Sequence, residues 1–171
     1  MAKEYNTTTY GSLREAEEHF VYFWKKDSCF SQWYPSRFVD DGDSFDCAEQ
    51  YMMYKKALFC KDNEAALKIR QCKDPEQMKK LGRSVKNWNL YGHIWEDCCY
   101  DIVKTGNLLK FAQNPVLKAK LLSTVGKELV EASPYDQKWG IGLPKENGLA
   151  WNKSTWQGQN LLGQALTEVR N

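Results

Sequence analysis

The sequence predicts a mostly α protein, a single compact domain of packed helices with a small N-terminal β-hairpin and a long functional loop near residues 131–157. Three observations predict it. Stretches without Gly or Pro carry apolar residues at helical spacing, foremost Phe45 through Cys60. A hydrophobic share of 42% with 13% aromatic residues marks a chain able to bury a core, and 171 residues suit one domain. Several Gly and Pro, with little periodicity, fall between Pro134 and Gln157, which reads as loop.

Residues 1–10 read as a polar lead-in. Ser12 to Glu18 forms a short helix, with Ser12 and Glu15 in capping-box spacing. Phe20-Val-Tyr-Phe-Trp24 is aromatic and β-branched, the composition of a strand. Cys29 to Ser36 is an aromatic loop that Pro35 keeps from helix. Phe38 to Phe45 closes a hairpin at Asp41-Gly42, and the central helix then starts near Ser44 or Asp46, either of which could cap it. Asn63 to Cys72 is amphipathic. Asp74-Pro75 opens the next helix, which Gly82 is expected to stop. Trp88 to Val103 is a long buried helix, with Tyr91, Trp95, Cys98, Cys99 and Ile102 on its apolar side; Gly106-Asn107 is expected to break it from Leu108–Phe111. Pro115 to Ser123 is a further helix, and Gly126 leads into an extended segment up to Ser133. Gly158 to Arg170 closes the chain as a helix with Leu161, Leu162, Ala165, Leu166 and Val169 inward.

Charge excludes broad electrostatic functions. With 24 basic and 22 acidic residues the net charge is +2, too little for general attraction to nucleic acid or membrane. A local basic cluster at Lys68, Arg70, Lys73, Lys79, Lys80, Arg83 and Lys86 reads as the wet faces of helices. The six cysteines lack C-x-x-C spacing, so they read as small core residues of a reduced protein. No apolar leader or membrane-spanning run is visible, which leads to the expectation of an intracellular, cytoplasmic protein without membrane contact. The oligomeric state cannot be read.

Two stretches could carry chemistry. In the first, Glu49 and Lys56 stand two helical turns apart on nearly one face, beside Ala48, Tyr51, Met52, Leu58 and Phe59. They are either a solvated pair flanking a core helix or a working carboxylate and amine. The second is Glu131 to Gly142. Its Trp139-Gly140 and Gly142 let backbone approach a ligand, and Glu131 and Asp136 supply carboxylates; an Ω-loop pinned by Tyr135 and Trp139 is the competing account. Dinucleotide, Walker and G-x-S-x-G motifs are absent, and His19 and His93 lack a partner at metal-ligand spacing. Neither metal nor cofactor is expected. Carboxylate and lysine chemistry amid aromatic rings suits cleavage of a sugar–nitrogen bond. A carboxylate steadies the oxocarbenium-like centre, or a lysine captures the ring-opened sugar as a Schiff base.

These residues resemble the NADAR (YbiA-like) family of N-glycosidases. The matching pieces are Phe30-Ser-Gln-Trp-Tyr34, Ala48 to Ala57, Leu81-Gly-Arg83 followed by Trp88, and Lys110-Phe111. Leu129 to Ser133, Asp136-x-x-Trp-Gly-x-Gly142 and Gly158-x-Asn-x-Leu-Gly163 continue the order up to Arg170. The resemblance implies a family domain over residues 20–171 behind an N-terminal extension of residues 1–19. It implies a mostly α fold and action on N-glycosidic bonds, either releasing ADP-ribose from guanine bases or cleaving early riboflavin-pathway intermediates (ribosylamino-pyrimidine phosphates). Implied partners are ADP-ribosylated guanine in nucleic acid or nucleotide, and ADP-ribose as product. By the same resemblance Glu49, Lys56 and Asp136 are catalytic. Phe30, Ser31, Gln32, Arg83, Trp88, Trp95, Lys110, Phe111, Trp139, Gly140, Gly142 and Asn160 bind substrate. Gln32 stands where the family often has Asn. A binding module that kept the pocket without the reaction is the non-enzymatic alternative.

Overall fold

A computed structural model describes residues 8–171; of the expected lead-in, residues 1–7 lie outside the described residues. Described elements run α1 (Leu13–Glu17), β1 (Phe20–Phe23), β2 (Phe38–Asp40), β3 (Asp43–Phe45), α2 (Ala48–Phe59), α3 (Asn63–Gln71) and α4 (Pro75–Arg83). Then follow α5 (Trp88–Gln113), α6 (Pro115–Leu122), β4 (Glu128–Glu131), 3-10 turns at Gly148–Trp151 and Lys153–Thr155, and α7 (Leu161–Arg170). Helix dominates, as the periodicity predicts. The chain divides into two compact units, one continuous over Gln32–Lys120, the other joining the residues up to Ser31 with Leu121–Asn171.

In the continuous unit, β2 and β3 form the expected hairpin, pairing Phe38 with Phe45 and Asp40 with Asp43. Asp41 (φ 49°) and Gly42 (φ 83°) both adopt positive φ, the two-residue turn that matches strand twist. Phe38, Phe45 and Tyr51 form a buried cluster, with Tyr54, Ile102 and Leu109 against it. The hairpin displaces the expected helix start. Ser44 lies in β3, and Cys47 takes the capping position without a side-chain hydrogen bond, so neither Ser44 nor Asp46 caps α2. Gln50 supplies the local partner instead: its Oε1 accepts the Asp46 amide at 2.7 Å, and its Nε2 donates to the Ile69 carbonyl at 3.0 Å.

Two glycines read as stops are packing residues. Gly82 lies inside α4, buried where a Cβ would collide with the Met53 side chain. Gly106 lies inside α5, which runs unbroken for 26 residues; a Cβ there would stand 2.7 Å from the Tyr51 ring. Both let a helix approach α2 closely, a use of glycine that local patterning does not distinguish from a terminus. The basic cluster is largely paired: Lys68 and Lys86 with Glu64, Arg70 with Asp43, Lys73 with Asp46, Lys80 with Glu76.

In the other unit, β1 and β4 pair in parallel, Phe20 opposite Glu128 and Phe23 opposite Glu131. Ala16, Phe20, Val130, Ala132, Ile141, Leu143 and Ala150 form its core. Ser12 caps α1 as expected, accepting the Glu15 amide at 3.2 Å while the Glu15 carboxylate accepts the Gly11 amide at 2.8 Å. Helix α7 begins later than expected, because Asn160 takes a left-handed conformation (φ 54°) before it. No disulfide joins any of the six cysteines, four of which are buried. Among the described residues no helix is long and apolar enough to cross a membrane.

Candidate active site

Glu49 occupies the first turn of α2, where the helix dipole favours a carboxylate. It is only 6% exposed, which excludes the solvated reading of this residue. Its amide donates to the Gln32 carbonyl at 2.9 Å, tying the helix start to the aromatic loop. The Gln32 side chain is also engaged, its Oε1 accepting from Asn107 Nδ2 at 2.9 Å. Asn107 donates as well to the Val103 carbonyl at 2.9 Å, while its Oδ1 is buried without a partner.

One turn further along α5 stands Lys110, fully buried, its Nζ 5.0 Å from the Phe111 ring centroid and 5.9 Å from that of Tyr34. Cys47 adjoins this cluster. Burial pushes its thiol up to about 11; the Gln50 and Glu49 backbone amides and the Lys110 charge pull it down, while the Glu49 charge pushes it further up.

Lys56 is placed differently. It is half-buried, and its Nζ stands 4.7 Å over the ring of Trp88, which is 41% exposed. Seven residues of helix separate it from Glu49, about 10 Å along the axis. Lys79 stands 6.0 Å from the Trp33 ring in a second cation–indole pair of this unit, and Arg83 is exposed at the end of α4. Trp95 and Phe111 are core rings; Trp95 is 3% exposed and packs edge-on to Phe59 at 5.9 Å. The structure therefore joins Glu49 with Gln32, and Lys56 with Trp88. It brings neither Trp95, Phe111 nor Lys110 to a surface. Asn107 was missed as part of this cluster, because Gly106-Asn107 reads as a helix break. Its spacing of three from Lys110 was the available signal.

In the other unit the Glu131–Gly142 stretch is built by its own polar groups. Asp136 Oδ1 accepts the amides of Lys138 at 3.0 Å and Trp139 at 2.8 Å, and its carbonyl accepts the Gly142 amide at 3.1 Å. A Cβ on Gly140 would lie 2.9 Å from both the Asp136 and Glu131 carbonyl oxygens, so only glycine fits; Gly142 has φ +70°. Asn160 is a strut: Oδ1 accepts the Glu131 amide and Nδ2 donates to the Leu129 carbonyl, both at 3.0 Å. Trp139 is half-buried, with Lys138 Nζ 5.7 Å from its ring. Phe30 and Ser31 are buried, the Phe30 ring 5.8 Å from that of Phe23. Gln137, Lys138, Trp156, Gln157, Gly158 and Gln159 line an open cavity of about 500 Å³.

Comparison with known proteins identifies the family. The NADAR domain profile matches residues 22–171. An N-glycosidase of Acanthamoeba polyphaga mimivirus is 44% identical over 146 residues, 82% of this chain and 85% of that protein. The chloroplastic riboflavin biosynthesis protein PYRR of Arabidopsis thaliana is 37% identical over 106 residues, 61% of this chain and 16% of that much longer protein. The NMR structure of the E. coli protein YbiA shares the fold, with a TM-score of 0.72 at 24% identity over 89% of this chain and 83% of that one.

Proposed function

Since the chain belongs to the NADAR domain family, we propose that it is an N-glycosyl hydrolase that removes ADP-ribose from guanine bases. The coarser part, hydrolysis of an N-glycosidic bond, is supported by the mimiviral relative named N-glycosidase. The observation that carries it to this chain's residues is Glu49, a carboxylate kept almost out of water at a helix N-terminus. A carboxylate held out of water is a candidate functional group. Its proposed task is to steady positive charge at the sugar C1. The C1–N bond breaks with its electron pair passing to the base nitrogen, water adds its oxygen to C1, and a proton from that water ends on the departing base. Lys56 is the candidate amine if the sugar instead opens and is captured as an imine.

The finer substrate is supported by how lysines and indoles are paired. Lys56 with Trp88 and Lys79 with Trp33, both within the Gln32–Lys120 unit, each set a cation beside a stacking face. A diphosphate flanked by an adenine uses such pairs; a single phosphate on a small pyrimidine needs fewer. The reaction as proposed uses no cofactor, and the partner is ADP-ribosylated guanine in nucleic acid or nucleotide.

The test is single-turnover hydrolysis of guanine-ADP-ribosylated DNA with borohydride present. Release of ADP-ribose is expected, and a trapped adduct lost in Lys56→Ala would assign the amine. The likeness to the riboflavin proteins favours a second reading, an N-glycosidase of ribosylamino-pyrimidine phosphates. Turnover of such a compound with no release from DNA would decide for it.

A further inference from the structure

We propose that Lys110 is the buried ion-pair partner of Glu49, making it the positioning residue of the reactive carboxylate rather than a phosphate ligand. Three observations within the Gln32–Lys120 unit carry this. Among the described residues only three charged side chains are buried: Glu49, Asp62 and Lys110. An ammonium without solvent contact is tolerated only when paired. Asp62 is spoken for, since its Oδ1 accepts the Ala65 amide at 3.1 Å and its Oδ2 accepts the Lys86 amide at 2.8 Å. Glu49 remains.

The second observation is a chain of contacts that sets both residues in one place. Asn107 and Lys110 are three apart on α5, hence on one face. Asn107 holds the Gln32 side chain at 2.9 Å, and the Gln32 carbonyl holds the Glu49 amide at 2.9 Å. The third is Cys47, whose thiol feels the Glu49 and Lys110 charges with opposite sign. Glu49 follows that buried sulfur by two residues, and the Lys110 charge acts on it. By contrast, Lys56 is two turns away from Glu49 with its ammonium over Trp88.

The catalytic consequence rests on Glu49 being the reactive carboxylate; the pairing itself does not. Lys110 on α5 and the first turn of α2 together fix where the carboxylate points. Breaking a buried pair leaves a stranded charge, whereas removing both charges does not.

The experiment is a double-mutant cycle in urea unfolding with Glu49→Gln, Lys110→Met and the double variant. The expected result is that each single change lowers the midpoint and the double lowers it by less than the sum of the two. Two unfolded singles with a folded double would support the pair equally. Additive shifts would overturn it. A crystal structure of the unaltered protein gives a reading independent of variants: a Nζ–carboxylate distance within 4 Å supports the pair, and a wider one overturns it. With ADP-ribosylated DNA as substrate, Lys110→Met should lower kcat by at least tenfold with KM nearly unchanged. A raised KM at unchanged kcat would instead return Lys110 to the phosphates. Since the cycle needs no substrate, its failure is distinguishable from failure of the proposed activity.

Discussion

The start of α2 and the Glu131–Gly142 stretch both hold a carboxylate expected to be catalytic, and they use it differently. Asp136 spends Oδ1 on two loop amides, and its neighbours Gly140 and Asn160 are fully accounted for by close approach and backbone bonding. Glu49 is not the N-cap of α2, a position Cys47 holds, and the Asp46 amide goes to Gln50. Its carboxylate is nonetheless almost fully buried. A polar residue whose structural work is complete gives little sign of function. One buried beyond what the backbone needs gives more.

That contrast can be broken or sharpened, beginning with the largest effect. Glu49→Gln should slow turnover by roughly 10²–10⁴-fold, the range for a lost acid–base or charge-stabilising group, measured in single turnover on ADP-ribosylated DNA. A rate within a factor of a few of wild type would remove Glu49 from the chemistry. Asn160→Ala should cost about 2–4 kcal/mol in urea unfolding, because the Glu131 amide and Leu129 carbonyl lose a buried partner.

Cys47 gives a pH signature of the α2 start. Its thiol titrates near 9 when unfolded and about 11 when folded, so its contribution is complete below pH 9 and lost as pH rises through about 11. Stability should fall by about 2–3 kcal/mol from this thiol across that window, a loss that Cys47→Ala should remove from urea midpoints measured at pH 8 and 11. Gly106→Ala should destabilise by about 1–3 kcal/mol through overpacking on Tyr51, although alanine is otherwise the better helix former. Thermal melting reads the sign. The smallest effect belongs to Asp136→Asn, which keeps Oδ1. It should change stability by less than about 1 kcal/mol, and turnover at least tenfold less than Glu49→Gln does. Equal losses would erase the distinction between the two regions.

Much of the fold was legible. The hairpin at Asp41-Gly42 and the caps at Ser12 and Asp74 follow from turn and capping chemistry that acts over a few residues. Gly82 and Gly106 were misread, because the sequence shows a glycine without the Met53 and Tyr51 side chains that need the space. The parallel pairing of β1 with β4 was not legible, since neither strand's composition names a partner more than a hundred residues away. Of the site, Glu49 was placed on α2 as expected, and Trp88 beside Lys56 follows from no local pattern. Burial of Lys110 was hidden by its charge, which ordinarily marks a wet surface.

The β1–β4 pairing also orders events in time. As the chain leaves the ribosome, Gln32–Lys120 emerges as one uninterrupted piece that can close its own contacts early. Strand β1 is made first yet must wait for Glu128–Glu131 before its backbone finds its neighbour. During synthesis Phe20 and Phe23 are thus the oldest apolar side chains of the two paired strands and the longest exposed.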